Sequence, residues 1–305
     1  MTRIALILSM FMICALRANA ESVALTFDDG VNPERPEAAA WNASILDALA
    51  KGKVTSMILM ACGNADSPAG LKLVRDWGQA GHFISNHTFS HKSLGSKEMT
   101  AEAFIADVEK CHAILNTLPG WSPRLRFPYL KEGDTAAKRD AVRQWMANNK
   151  YKPAAVSIDA SDWYYSDRFT KWRAANPGGK PELYRDAYLA HLWDRTQYYD
   201  ALSKQALNRS ARHVLLLHTN AINAAFLPDI IAMYRSKGWK IISPELAFDD
   251  PLYAMQPETL PAGESILWAL AKQGNAKGLR YPAEDGRYEK ELLDALEARA
   301  ARAKQ

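Results

Sequence analysis

Apolar positions along this chain fall into two alternating rhythms. Short runs rich in aliphatic and β-branched residues occupy positions 22–27, 54–60, 82–85, 125–127, 154–158, 213–217 and 239–242, and read as seven strands. Between them, 36–51, 69–80, 100–118 and 135–149 space their apolar residues by three and four, as helices with one buried face do. Strand and helix repeated in this order predict an α/β fold of parallel strands under covering helices. Two stretches break the rhythm. Residues 164–212 are long for one strand–helix unit and hold a Pro/Gly-rich turn at 176–181 before a helical pattern that runs through Leu207, so they read as an inserted segment. After Pro244, the residues Pro251, Pro257 and Pro261 space out a loop-rich segment that ends in a charged helical pattern at 289–304. The expected organisation is a domain over 21–250 followed by a C-terminal extension, 251–305, that ends in a helix.

The first twenty residues stand apart. Arg3, the apolar run 4–16 and Ala18-Asn19-Ala20 have the charged, apolar and small-residue parts of a cleaved signal peptide, and the run is too short to span a bilayer. Ile13 before Cys14 argues against a lipoprotein signal, which wants a small residue there. The expectation is export to the periplasm or the exterior, with cleavage near Ala20. Beyond it no apolar run is long enough for a transmembrane segment.

Composition excludes several classes. With 305 residues, 48% hydrophobic and 24% charged, the chain can bury a full core and resembles neither disordered nor fibrous sequences. Its 38 basic residues face 34 acidic ones. Losing Arg3 and Arg17 with the signal leaves a net charge of +2, which gives no electrostatic footprint for nucleic acid. Cys62 and Cys111 would remain, either as one disulfide or as two buried thiols.

The unusual side chains keep phase with the strands. Asp28-Asp29-Gly30 ends the first strand, and His87 and His91 follow the third. Arg126 to Tyr129 ends the fourth, Asp159 and Asp162-Trp163 follow the fifth, and His218 ends the sixth. In a parallel barrel those strand ends converge on one face, where the active site is built. Adjacent aspartates on a strand would point to opposite faces, but Gly30 lets the chain turn so that both reach the rim. Two histidines four apart share one face of a helical turn, as in a zinc-binding H-E-x-x-H segment, although no Glu follows His87. A further ligand and a base are needed, and the two aspartates offer both. Nitrogen and oxygen donors favour zinc, with cobalt or nickel as alternatives. His82, His112, His191 and His213 read as structural or surface residues. Positions 163–199 hold ten of the chain's thirty aromatics. Tyr184, Tyr188 and Leu192 recur at helical spacing and read as packing, whereas Trp163 to Tyr165 are the better candidates for a groove.

Thr26-Phe27-Asp28-Asp29-Gly30, His87-Thr88-x-x-His91, Arg126-x-Pro128-Tyr129, Asp159-x-x-Asp162-Trp163 and Leu216-x-His218 together resemble the five ordered motifs of the polysaccharide deacetylases, carbohydrate esterase family 4, over residues 22 to about 247. That resemblance implies a distorted (β/α) barrel of about seven parallel strands and a hydrolase acting on amide carbon–nitrogen bonds. It implies a divalent metal, zinc foremost, on Asp29, His87 and His91, with Asp28 as catalytic base and His218 as general acid. It further implies that Arg126 charge-balances Asp28 and that the Tyr129 backbone N–H binds the oxyanion. Trp163 and Leu216 would wall the acetyl pocket, and Asp162 would pair with Arg126 or His218, a role for which Asp159, also acidic, is the alternative. The expected substrate is an N-acetylated glycan such as peptidoglycan or chitin oligomers. An O-acetyl esterase on xylan or exopolysaccharide and an inactive carbohydrate-binding barrel are the alternative readings.

Overall fold

A computed structural model describes residues 21–280, 286 and 289–302; the expected signal segment lies outside the described residues. Strands β1 (Ser22–Asp29), β2 (Ile58–Ala61), β3 (Phe83–Asn86), β4 (Trp121–Leu125), β6 (Lys152–Pro153), β7 (Arg212–His218) and β8 (Lys240–Ile241) form one parallel sheet. Its order is β6-β4-β3-β2-β1-β7, with β8 pairing the start of β1. The sheet curls until Ile158, in the segment after β6, bridges to Leu215 of β7. This is the expected distorted barrel of seven parallel strands, closed by an irregular seam in place of a full ladder.

Burial suits β1 to its place as an interior strand, flanked by β2 and β7. Val23, Ala24, Leu25 and Phe27 are all fully buried, so the strand is apolar toward both the barrel interior and the covering helices, as a central parallel strand must be. Helices α1 (Ala38–Lys51), α2 (Pro68–Gln79), α3 (Ala101–Leu115), α4 (Ala136–Asn148) and α7 (Ala221–Ser236) cover the sheet. Side chains at their N-termini set several starts: Ser67, Thr100, Thr135 and Asn220 each accept from the backbone N–H three residues on.

The inserted segment forms α5 (Asp162–Ala175) and α6 (Glu182–Leu207). Tyr184, Tyr188 and Leu192 on α6 are fully buried, so the helical spacing of those aromatics does reflect packing. Helix α8 (Pro244–Phe248) ends the 21–250 domain, and the extension contributes α9 (Ile266–Gln273) and α10 (Lys290–Arg302). A two-stranded antiparallel ribbon of β5 (Lys131–Gly133) with β9 (Ala262–Gly263) ties it to the body. Leu252, Ile266, Leu267 and Leu293 of the extension all join the main core. Cys62 and Cys111 are both buried free thiols, the second of the two alternatives open for them.

Candidate metal and acid–base site

The C-terminal ends of β1, β3 and β7 deliver the chemistry. Asp28 lies in register with His218 across the β1–β7 pair, so a carboxylate and an imidazole start as neighbours. Asp29 ends β1 in the left-handed region at φ 77°, and Gly30 follows at φ 73°. The chain therefore leaves the strand one residue earlier than glycine alone would dictate, and Asp29 swings onto the rim while Asp28 stays on the interior face. Thr88, His91, Tyr129, Leu130 and Ser161 also hold positive φ on the rim. Side-chain-bearing residues rarely adopt it, and such strain gathers where a site requires a particular geometry.

Asp29, His87 and His91 bring three ligand atoms to within 4.8 Å of one another. His91 Nε2 is 3.3 Å and His87 Nε2 3.6 Å from Asp29 Oδ1. The histidines do not share a helical turn as their spacing suggests. Residues 87–91 form a loop in which Thr88 and His91 take left-handed angles, and the ring centroids meet at 5.0 Å and 61°. Convergence comes from the loop, not from helical periodicity. His87 Nδ1 lies 2.9 Å from the Arg126 carbonyl oxygen, which can only accept, so Nδ1 carries the hydrogen and Nε2 offers its lone pair to the centre.

The donor set fits a divalent cation. Asp29 Oδ1 is buried without a hydrogen-bond partner, an arrangement that is costly unless something positive fills the space beside it. Bonds of about 2.0–2.1 Å in a tetrahedral site put ligand atoms roughly 3.3–3.5 Å apart, close to the separations here. Burial raises the Asp29 pKa, but His218, His87 and His91 outweigh it and hold it below the usual carboxylate value. Burial and His87 lower that of His91 against the pull of Asp29 and Asp28. Both shifts favour the protonation state that ligates metal. His87→Ala is expected to weaken zinc binding by more than about a hundredfold, since loss even of a partner behind a ligand costs roughly 10–100-fold; zinc titration of the apo-protein measures it.

Behind the ligands lie two charge pairs. Arg126 Nη1 donates to Asp28 Oδ1 at 2.6 Å and to Thr26 Oγ1 at 2.9 Å, and Arg126 Nε donates to the Ala154 carbonyl at 2.8 Å. Both partners of the ion pair are buried. Asp28 Oδ2 is left facing His87 Nε2 at 3.6 Å. On the other side, Asp162 Oδ1 is 2.6 Å from His218 Nδ1, and Asp162 Oδ2 accepts from the His218 backbone N–H at 2.8 Å. Asp162, not Asp159, therefore pairs with His218, and Arg126 belongs to Asp28; Asp159 lies with Arg195, whose Nε donates to its carbonyl oxygen. Burial lowers the His218 pKa, but Asp162, Asp29 and Asp28 more than offset it, lifting it to about 10. At neutral pH this imidazole carries a proton to give.

Several contributors are absent from the expected set. Asn220 and Asn223 donate to Asp162 Oδ2 at 2.9 and 2.7 Å, and Tyr188 OH holds Asn223 Oδ1 at 2.8 Å. Asn220 had one legible signal, its place as the cap before an apolar helix. Asn223 and Tyr188 had none, because their contacts join α7 to the inserted α6.

An open cleft of about 500 Å³ runs from Asp29 and His218 past Arg35, Trp41, Trp163 and Lys171. Trp163 is 38% exposed and Tyr129 53%, and the Tyr129 ring packs against His91 with centroids 4.7 Å apart. Leu216 is buried two residues before His218 on the same face of β7. Of the three expected groove aromatics only Trp163 lines this cleft. Tyr165 is fully buried against Tyr188 and His191, and Tyr164 packs edge-on to Trp163 outside the cleft.

Residues 16–148 match the family model for polysaccharide deacetylase. The chain is 28% identical over 202 residues to a peptidoglycan-N-acetylglucosamine deacetylase of Bacillus cereus, covering 65% of this chain and 68% of that one. It is 29% identical over 144 residues to a chitooligosaccharide deacetylase of Rhizobium leguminosarum bv. trifolii, covering 47% of this chain and 59% of the relative's length. Among solved structures, a CE4 family pseudoenzyme from Bacillus anthracis is similar with a TM-score of 0.52 at 14% identity, covering 76% of this chain and 66% of that one. That last likeness concerns the fold alone, and since a pseudoenzyme shares the fold, activity must be argued from residues. The ordered motifs, a family model that matches less than half of the chain and these relatives agree in their likeness to the polysaccharide deacetylases.

Proposed function

We propose that this chain is a metal-dependent hydrolase that removes N-acetyl groups from a polysaccharide containing N-acetylglucosamine, the sugar common to peptidoglycan and chitin oligomers, and that it works after export from the cell. The observation that carries the reading is the presence of two separately backed proton-transfer groups beside one set of ligands: Asp28 backed by Arg126, and His218 backed by Asp162. A cation bound to Asp29, His87 and His91, most simply zinc, would lower the pKa of a bound water toward about 7 and polarise the acetyl oxygen.

The chain's own residues supply the rest. Asp28 Oδ2, the oxygen not engaged by Arg126, takes a proton as water oxygen adds to the acetyl carbon. Arg126 balances the charge of Asp28 and holds it in place, so the lone pair is aimed before the reaction begins. His218 then gives its proton to the amide nitrogen as the carbon–nitrogen bond breaks, which yields acetate and a free amine. Asp162, itself held by Asn220 and Asn223, keeps His218 protonated and oriented. Trp163 offers an exposed ring on which a sugar face can stack. Acetate release from N-acetylglucosamine oligomers, abolished by chelation and restored by zinc, tests the reading; release that survives complete metal removal would overturn it.

A further inference from the structure

The C-terminal segment reaches the acid side of the site. Glu289, just before α10, is 0% exposed, and its Oε1 accepts from Ser161 Oγ at 3.2 Å and lies 3.7 Å from His191 Nε2. Around it the contact is extensive: Leu293 is fully buried, and Arg168 of α5 pairs with Asp294 at 2.8 Å and Glu297 at 2.9 Å. At Gly286 a Cβ would stand 2.3 Å from the Tyr164 ring, so the segment runs hard against the first turn of α5.

Ser161 is the residue on which this contact bears. It immediately precedes Asp162 and takes left-handed angles, φ 49° and ψ 35°, unusual for a residue with a side chain. Its hydroxyl makes no capping bond to its own helix, the usual role of serine at that position. The hydroxyl is committed to Glu289 instead. A carboxylate beside the N-terminus of α5 also suits the positive end of the helix dipole. The backbone angles of Ser161 set the direction in which Asp162 leaves the chain, and Asp162 meets His218 Nδ1 at 2.6 Å.

We propose that Glu289 is a positioning residue, which holds Ser161 in its left-handed conformation and thereby aims Asp162 at His218. The proposal rests on the deacetylase reading for its kinetic consequence, but not for its structural one. Glu289→Ala in the full chain is expected to lower kcat about tenfold, as small misplacements of acid–base groups do, with KM within about twofold and zinc stoichiometry unchanged. Amide exchange at His218, whose N–H is donated to Asp162 Oδ2, is expected to speed up. Should Glu289→Ala fail to fold, Glu289→Asp, one methylene too short to reach Ser161, asks the same question. Adding Ser161→Gly is expected to restore both protection and most of kcat, because glycine takes positive φ without help. Unchanged kcat and exchange in the single variant would overturn the proposal, as would a loss that Ser161→Gly leaves unrelieved. If the wild-type chain released no acetate, the deacetylase reading would fail while exchange at His218 still decided the role of Glu289.

Discussion

Asp28→Asn is expected to reduce kcat by about 10²–10⁴-fold, the usual contribution of a general base, while zinc still binds. The substitution is nearly isosteric, and it leaves Asp29, His87 and His91 untouched. An amide has no basic oxygen, and its two orientations are both poor. With its oxygen toward Arg126 it turns an NH₂ into the site; with the NH₂ toward Arg126 it opposes donor to donor, since Arg126 Nη1 now donates to Asp28 Oδ1 at 2.6 Å. Stability should fall as well. Removing one partner of a buried pair leaves a buried guanidinium uncompensated, typically at a cost of about 3–5 kcal/mol, and the remaining bonds to Thr26 and Ala154 place this case toward the lower end. Denaturant unfolding beside zinc titration separates the two effects. A zinc-loaded variant with near-wild-type kcat would show that Asp28 is not the base.

Asp162→Asn is expected to move the alkaline limb of the pH–rate profile to lower pH. In the wild-type chain burial lowers the His218 pKa, yet the carboxylates of Asp162, Asp29 and Asp28 lift it to about 10, so the acid stays protonated well above neutrality. A bound divalent cation opposes that lift and places the limb of the loaded enzyme somewhat below this value. Asparagine keeps an acceptor for Nδ1 but deletes the nearest charge, so the limb moves down from about 10 toward the ordinary histidine value of about 6.5, with Asp29 and Asp28 still pulling upward. The variant therefore loses activity at alkaline pH that the wild-type chain keeps. The same pair governs stability with a definite sign. The folded pKa of His218 is raised, so its contribution is fully present below about pH 6.5 and is lost as pH rises toward about 10. Wild-type unfolding should therefore show a decline in stability over that window that is smaller in Asp162→Asn. An alkaline limb that stays in place in the variant would separate Asp162 from the acid.

Much of this site was legible because strand ends are a structural address. Asp28, Asp29 and His218 lie on strands whose apolar runs declare them, and their phase places them on one rim. The histidine pair was legible as a ligand pair but not in its geometry: residues 87–91 form a loop whose left-handed angles at Thr88 and His91 leave no periodic trace. Which acid serves His218 was likewise undecidable from spacing, since Asp159 and Asp162 are both acidic and only the start of α5 separates them. The supporting contacts were the least legible. Asn223, Tyr188 and Glu289 act from α7, α6 and the C-terminal segment, and pairings between elements so far apart in sequence leave no local pattern. The strand at 154–158 was displaced for a related reason. Its regular pairing stops at Pro153, and residues 157–158 instead bond to β7 as the barrel closes.

The central claim is that Asp29, His87 and His91 hold a metal that serves hydrolysis of an acetamido group. The most direct test is acetate release by residues 21–305 from N-acetylglucosamine oligomers and from peptidoglycan, read against bound zinc as the metal is withdrawn and returned. The account predicts release proportional to occupancy, matched by equimolar free amine, and absent in His87→Ala at the same added zinc. Release independent of occupancy, or full occupancy with neither glycan deacetylated, would contradict it.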